Sequence, residues 1–405
     1  MKKLAVFGGE AVRKTPFPGW PICDQNEEQA VVDVVRSGRW GRLTGEQVTR
    51  FEKRFAEYQQ AKYAIAMVNG SVALRLALLA TGLKAGDEVI VPPYTFIATV
   101  LSVIEANGTP VFVDIDENTW NMDPAKIEAA ITPRTRVIIP VHLGGLPVEM
   151  DSIMAIANRH NLIVIEDACH AHGSEYKGRR VGAIGHMGCF SFQSSKNLTS
   201  GEGGAVLTND ERLAELVWSH HNCGRNPQGA WYEHHRIASN YRLSEFHGAI
   251  LNCQLDRLDE QTRLRNQNGI FLSTELAKIP GLSPQARPEG TRHAQHIFCF
   301  RYDPSVYGVP RSEFLKALQA EGLSASAGYP LPVYRQPIFL NHEFGPYAES
   351  AKAVDYSTVS CPVCERICEL EGCWLTHNML LGTQKDMEEI IDAFRKIYEC
   401  RDELM

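Results

Sequence analysis

Between about residues 63 and 210 the chain repeats one pattern. "YAIAMV" (63–68), "EVIVP" (88–92), "PVFVD" (110–114), "RVIIPV" (136–141) and "LIVIED" (162–167) are short runs rich in Val and Ile. Helix-like stretches such as "SVALRLALLATGL" and "FIATVLSVIEAN" separate them. A run that is apolar at successive positions has no polar face, so the strand it forms must be covered on both sides. Strands of this kind alternating with amphipathic helices require a mostly parallel sheet between helix layers, the α/β class. In such sheets ligands gather at the carboxyl ends of the strands.

The 405 residues allow one large and one smaller domain. A long helix is expected from roughly Ser244 to Lys278, and Pro280, Pro284 and Pro288 then break the chain before "HIFCFRY" (296–302) opens a second region. The expected division is an N-terminal segment (1–25), a large domain (26–265) and a smaller C-terminal α/β domain (266–405). The N-terminal segment docks on the smaller domain or on a partner subunit.

A formal net charge of −7 without basic clusters argues against nucleic acid or an anionic membrane as the main partner. No apolar run approaches the roughly 20 residues that span a bilayer. Glu10 and Arg13 cut the apolar stretch of "MKKLAVFGGEAVRK" too short for a signal peptide, so a cytoplasmic protein is expected. Its eleven cysteines then read as reduced thiols. "CPVCERICELEGC" has spacings that resemble a zinc or iron–sulfur site. Cys361, Cys364 and Cys368 also fall on one helix face, where cysteine packs as a small hydrophobe, and no metal is expected.

The chemistry-bearing residues stand at the strand ends. "NGSVAL" places Asn69, Gly70 and Ser71 at the start of a helix, either an ordinary cap or a phosphate site. "PPYTFIAT" places Tyr94 and Phe96 at the same edge, against a flat ring or in the core. "LIVIED" ends in Glu166 and Asp167, and the acid there either caps the next element or meets a cofactor. In "CFSFQSSKNLTSGEGGAV" a lone Lys196 sits in a small-residue loop between two apolar runs. A lysine, a buried aspartate, a helix N-terminus and an aromatic plate are what pyridoxal 5′-phosphate requires. The amine forms a Schiff base, and the acid keeps the pyridine nitrogen protonated. No dinucleotide fingerprint and no P-loop is present.

"VIEDACHAHGSEYKGRRVGAIGHMGCFSFQSSKNLTSGEGGAVLTND" resembles the core signature of the DegT/DnrJ/StrS-type sugar aminotransferases, fold-type I pyridoxal-phosphate enzymes. The likeness extends through "TGEQVTRFEKRFAEY", "NGSVALRLAL", "VPPYTFIAT" and "SNYRLSEFHGAI", nearly the whole chain. It implies a seven-stranded, mostly parallel sheet in the large domain. It also implies Lys196 as the Schiff-base lysine, Asp167 at the pyridine nitrogen, His170 by the ring hydroxyl and Phe96 stacked on the ring. Gly70, Ser71 and Ser191 would hold the phosphate, and Asn240 would reach it from the other subunit of a homodimer, unless it caps the long helix. Gln193 stands where many members have His, which bears on substrate preference.

The implied reaction is ping-pong transfer of an amino group from glutamine or glutamate to a keto-cyclitol or keto-sugar. "GGEAVRKTPFPGWP" and "CWLTHNMLLG" resemble the branch that aminates scyllo-inosose-type cyclitols in aminoglycoside pathways. A nucleotide-linked keto-sugar aminotransferase, an amino-hydroxybenzoate synthase-like enzyme and a non-catalytic regulatory paralogue are the alternatives. In "SAGYPLPVYRQP", Tyr329 and Tyr334 either offer hydroxyls to the acceptor or pack. His142 in "PVHLGG" either touches substrate or is a hydrogen-bonded structural histidine.

Overall fold

In a computed structural model, which describes residues 3–405, the alternating pattern forms a seven-stranded sheet. Its strands are β1 (Tyr63–Met67), β2 (Glu88–Val91), β3 (Thr109–Phe112), β4 (Thr135–Ile138), β5 (Ile163–Asp167), β6 (Met187–Ser191) and β7 (Gly204–Thr208). Their order across the sheet is β1-β7-β6-β5-β4-β2-β3, and β7 alone runs against the others.

Side chains alternate between two cores, with the period of two that a strand dictates. Met67, Val89, Val91, Val137, Ile165 and Cys189 face one core, together with Leu74 and Leu78 of α3 (Gly70–Ala80) and Val100 of α4 (Ala98–Glu105). Ala66, Ile90, Ile138, Val164 and Phe190 face the other. There they meet Phe51 and Phe55 of α2 (Gln47–Tyr58), which follows α1 (Gln25–Ser37), Ile153 of α5 (Met150–His160) and Leu251 of α6 (Glu245–Leu276). Both faces are covered by helices, which is why the strand runs are mostly apolar.

α6 is continuous through residue 265, where the sequence pattern placed the domain division. It passes from one core to another along its length. Leu258 belongs to the sheet's second core and Leu272 to a third, built on a four-stranded antiparallel sheet. That smaller sheet contains β8 (Leu282–Pro284), β9 (Ile297–Tyr302), β10 (Ala325–Ser326) and β11 (Gly372–Thr376) in the order β8-β9-β11-β10. The N-terminal segment docks on this smaller unit: Arg13 pairs with Asp386 at 2.7 Å and Glu389 at 2.6 Å. Val12 N donates to Glu321 at 3.0 Å.

The four cysteines of "CPVCERICELEGC" are buried. The helix expected there spans Pro362–Arg366 and widens over Ile367–Glu371, leaving Cys364 and Cys368 sulfurs 3.9 Å apart. Among the described residues no helix is long and apolar enough to cross a membrane.

Candidate active site

The antiparallel β7 decides where Lys196 goes. The parallel strands end at one edge of the sheet, and β7 starts at that same edge, so the Phe192–Gly203 loop joining β6 to β7 lies across it. In register, Ser191 faces Gly204 and Gly204 faces Met67, while Asp167 sits beside Cys189. This brings Lys196, Ser191, Asp167 and the N-terminus of α3 together. A cavity of about 530 Å³ opens between them.

Gly70, Ser71, Phe96, Asp167, His170, Ser191, Lys196 and Tyr329 all line it. At Gly70 a Cβ would stand 2.8 Å from the Ser191 Cβ, so only glycine lets the helix end approach this closely. Asn69 caps α3 through its own side chain, accepting from Val72 N at 2.8 Å. The N–H groups of the first turn are left to face the cavity, and they favour an anion.

Asp167 is almost fully buried. Its Oδ2 accepts from Thr99 Oγ1 at 2.7 Å and its Oδ1 from Cys169 N at 3.1 Å. No hydrogen bond or ion pair among the described residues holds the Lys196 amine. Burial pulls its pKa below the ordinary lysine value, outweighing the opposite pull of Cys169 and Asp167. Burial likewise holds His170 neutral, well below the ordinary imidazole range, and its Nδ1 accepts from Gly144 N at 3.4 Å.

Gln193 folds the lysine loop on itself. Its Oε1 accepts from Ser195 N at 2.8 Å and its carbonyl from Lys196 N at 2.8 Å.

Phe96 lies at the rim with 57% of its surface exposed. Asn240 is exposed, lies outside the cavity of its own chain, and accepts from Arg242 N at 3.2 Å. It is not the helix cap, because Ser244 holds that position.

Two expected substrate contacts are corrected. His142 is fully buried with both ring nitrogens engaged, Nε2 with Glu166 at 2.9 Å and Nδ1 accepting from Val148 N at 3.0 Å. Tyr334 is fully buried, and its hydroxyl donates to Glu365 at 2.6 Å and accepts from Cys361 N. Neither lines the cavity.

Cavity residues that the pattern did not single out include Thr99, Cys169, His296 and Trp374. Trp374 of β11 meets Tyr329 edge-on, with centroids 4.7 Å apart. Thr99 stood inside the quoted "PPYTFIAT", three residues after Phe96 and therefore on the same side of a helical turn, which was a usable signal. His296, just before β9, and Trp374 of β11 come from the smaller unit, 100 and 178 residues after Lys196.

Residues 21–373 match the DegT/DnrJ/EryC1/StrS aminotransferase family. The chain belongs to this family. It is an aminotransferase, and pyridoxal 5′-phosphate is its cofactor. Among its relatives is the L-glutamine:2-deoxy-scyllo-inosose aminotransferase of Streptomyces fradiae, 38% identical over 97% of this chain and 97% of that protein. The crystal structure of 3-amino-5-hydroxybenzoic acid synthase superposes with a TM-score of 0.86 at 34% identity, covering 94% of this chain and 98% of that one. S. venezuelae DesV, solved in complex with a ketimine intermediate, gives a TM-score of 0.83 at 34% identity over 95% of this chain and 99% of that one. The residues of the aminotransferase cavity fit its cofactor. A buried acid, an unpaired amine and a helix N-terminus that glycine lets come close share one space large enough for a phosphorylated pyridine.

Proposed function

We propose that this aminotransferase moves the amino group of glutamine to a keto-cyclitol of the scyllo-inosose type, in aminoglycoside-type biosynthesis. The observation that carries the reading is the cavity lining. Lys196 is the sole lysine or arginine on it among the described residues, and its far wall is the Tyr329–Trp374 aromatic pair. A nucleotide diphosphate needs cations to hold it. A neutral polyol ring is suited by aromatic faces with hydroxyls. The named relative from S. fradiae supports the same acceptor.

Bound pyridoxal phosphate supplies an electron sink for the carbon that loses or gains the amine. Lys196, unpaired and with a pKa pulled below the ordinary lysine value by burial, is the nucleophile and moves the proton at the reacting carbon. Asp167, its orientation fixed by Thr99 and Cys169, would hold the proton at the pyridine nitrogen. Gly70, Ser71 and Ser191 would hold the phosphate, His170 would stand by the ring hydroxyl, and Tyr329 would meet the acceptor. Phe96, exposed in the single chain, would cover the ring face. Asn240, exposed and outside the cavity of its own chain, completes the partner's site in a homodimer. The cytoplasm is the expected setting, in keeping with cysteines that read as reduced thiols.

Incubation of the holoenzyme with glutamine and either 2-deoxy-scyllo-inosose or a nucleotide-linked keto-sugar, read by mass spectrometry, tests the acceptor. Amination of the nucleotide sugar alone would overturn it. Lys196→Ala and Asn240→Ala chains, each inactive alone, should recover activity when mixed under subunit exchange if the sites are shared.

A further inference from the structure

The N-terminal arm reaches the lysine loop through one side chain. Trp20 Nε1 donates to the Ser194 carbonyl at 3.0 Å, two residues before Lys196. The indole meets His377 edge-on at 4.7 Å, and His377 stacks on His296 at 5.6 Å. His296 lies 4.5 Å from His170, which lines the cavity. Four rings from distant parts of the sequence thus form a column from the arm to the site. Asn378 Nδ2 donates to the Pro18 carbonyl at 2.8 Å, tying the arm to the turn that carries His377. The two stretches "GGEAVRKTPFPGWP" and "CWLTHNMLLG" therefore meet here.

The indole has a second task. The guanidinium of Arg265 lies 5.0 Å from the Trp20 ring. Arg265 has no exposed surface, its three side-chain nitrogens lack hydrogen-bond partners, and burial pulls its pKa down to about 9. A buried cation without a partner is costly, and an aromatic face is a favourable electrostatic surface for it. Trp20 serves three neighbours at once: an N–H for Ser194, an edge for His377 and a face for Arg265. Phenylalanine keeps a ring for the last two and loses the first.

We propose that Trp20 is a positioning residue of the active site. Through the Ser194 carbonyl it sets the loop that carries Lys196, and through His377 and His296 it sets the imidazole of His170. The proposal rests on Lys196 being the reactive amine.

The test uses the holoenzyme and its Trp20→Phe and Trp20→Ala variants. Without substrate, the pH titration of the cofactor's visible absorbance should shift by about half a unit in Trp20→Phe, the effect of one lost hydrogen bond. The glutamine half-reaction should slow about 3- to 10-fold with little change in KM. Trp20→Ala should slow it about 100-fold, since the loop then loses its geometry. Amide exchange should quicken at Ser195–Asn197. A Trp20→Phe enzyme with the wild-type titration midpoint and half-reaction rate overturns the proposal, even if Trp20→Ala melts earlier. Borohydride trapping of the wild type separates the two readings. A label on a lysine other than Lys196 overturns the reactive-amine assignment itself. A label on Lys196 with an unshifted Trp20→Phe overturns the role of Trp20 alone.

Discussion

Glu166 and Asp167 are adjacent acids at the end of one strand, both buried, and they sit in opposite kinds of surroundings. Glu166 faces the side of Val164 and Phe190. Its carboxylate accepts from Gly182 N at 2.6 Å, Ile184 N at 2.8 Å and Gly185 N at 2.6 Å, and meets His142 at 2.9 Å. Four donors take up both of its oxygens, and it does not line the cavity that Lys196 shares. Asp167 faces the side of Ile165, where two local donors hold its oxygens and the rest of its surroundings is cavity. The amine of Lys196 beside it is unpaired. A saturated buried carboxylate holds the fold together, and one that borders a void with an unpaired cation is available for chemistry. The pleat, alternating at each residue, makes the division.

The largest expected effect is at Lys196. Lys196→Ala should lower kcat by about 10⁴-fold or more, since both nucleophile and proton carrier are lost, with an unchanged circular dichroism spectrum. Asp167→Asn comes next. An amide cannot hold the cationic nitrogen, so the loss of a charge-assisted interaction of about 1.5–3 kcal/mol should slow turnover by about 10- to 150-fold, measured at saturating glutamine. Its melting temperature should stay near wild type.

Glu166→Gln should show the reverse. Placing an amide NH₂ among backbone N–H donors removes acceptors, at about 1–3 kcal/mol for each donor left bare. The melting temperature should fall by several degrees while kcat per folded molecule is kept. If Glu166→Gln lost activity at unchanged stability, the contrast between the two acids would fail.

A pH experiment sharpens the same contrast on the amine. The folded apoprotein holds Lys196 below the ordinary lysine value of 10.5, so the unfolded chain binds more protons in the window between the two. This penalty on the folded state is present in full below the folded value and fades as pH rises toward 10.5. Apo Lys196→Met should therefore be more stable than apo wild type at neutral pH, with the gap closing at high pH in parallel urea titrations. The smallest effect is at Tyr334→Phe: about 1 kcal/mol of stability, from the hydroxyl that bridges Glu365 and Cys361, and no change in KM.

The sheet was legible because its signal is local. Continuous Val and Ile runs bury both faces wherever they occur, and the Asn69 cap announces α3 within four residues. The Lys196 loop, Asp167 and the Gly70–Ser71 turn were legible for a related reason, since strand ends are where a parallel sheet collects polar groups. The same reasoning left His142 and Tyr334 open between substrate contact and packing. Each stands beside a turn, yet Glu166 and Glu365 draw it inward, and nothing local shows which acid a ring will meet. Trp374, His296 and Trp20 carry no sign in their own stretches of belonging near Lys196.

The sequence by itself determined which segments are strands, which strand ends carry an amine and an acid, and the chemistry those groups share. Those follow from side-chain type and a period of two or 3.6, quantities fixed within ten residues. Tertiary structure alone decided that Glu166 is saturated and Asp167 is not, that an aromatic wall from the smaller sheet closes the cavity, and that the N-terminal arm touches the lysine loop. Those depend on which distant surfaces pack together. The free energy of that packing is spread over whole cores, and no short stretch of sequence contains it.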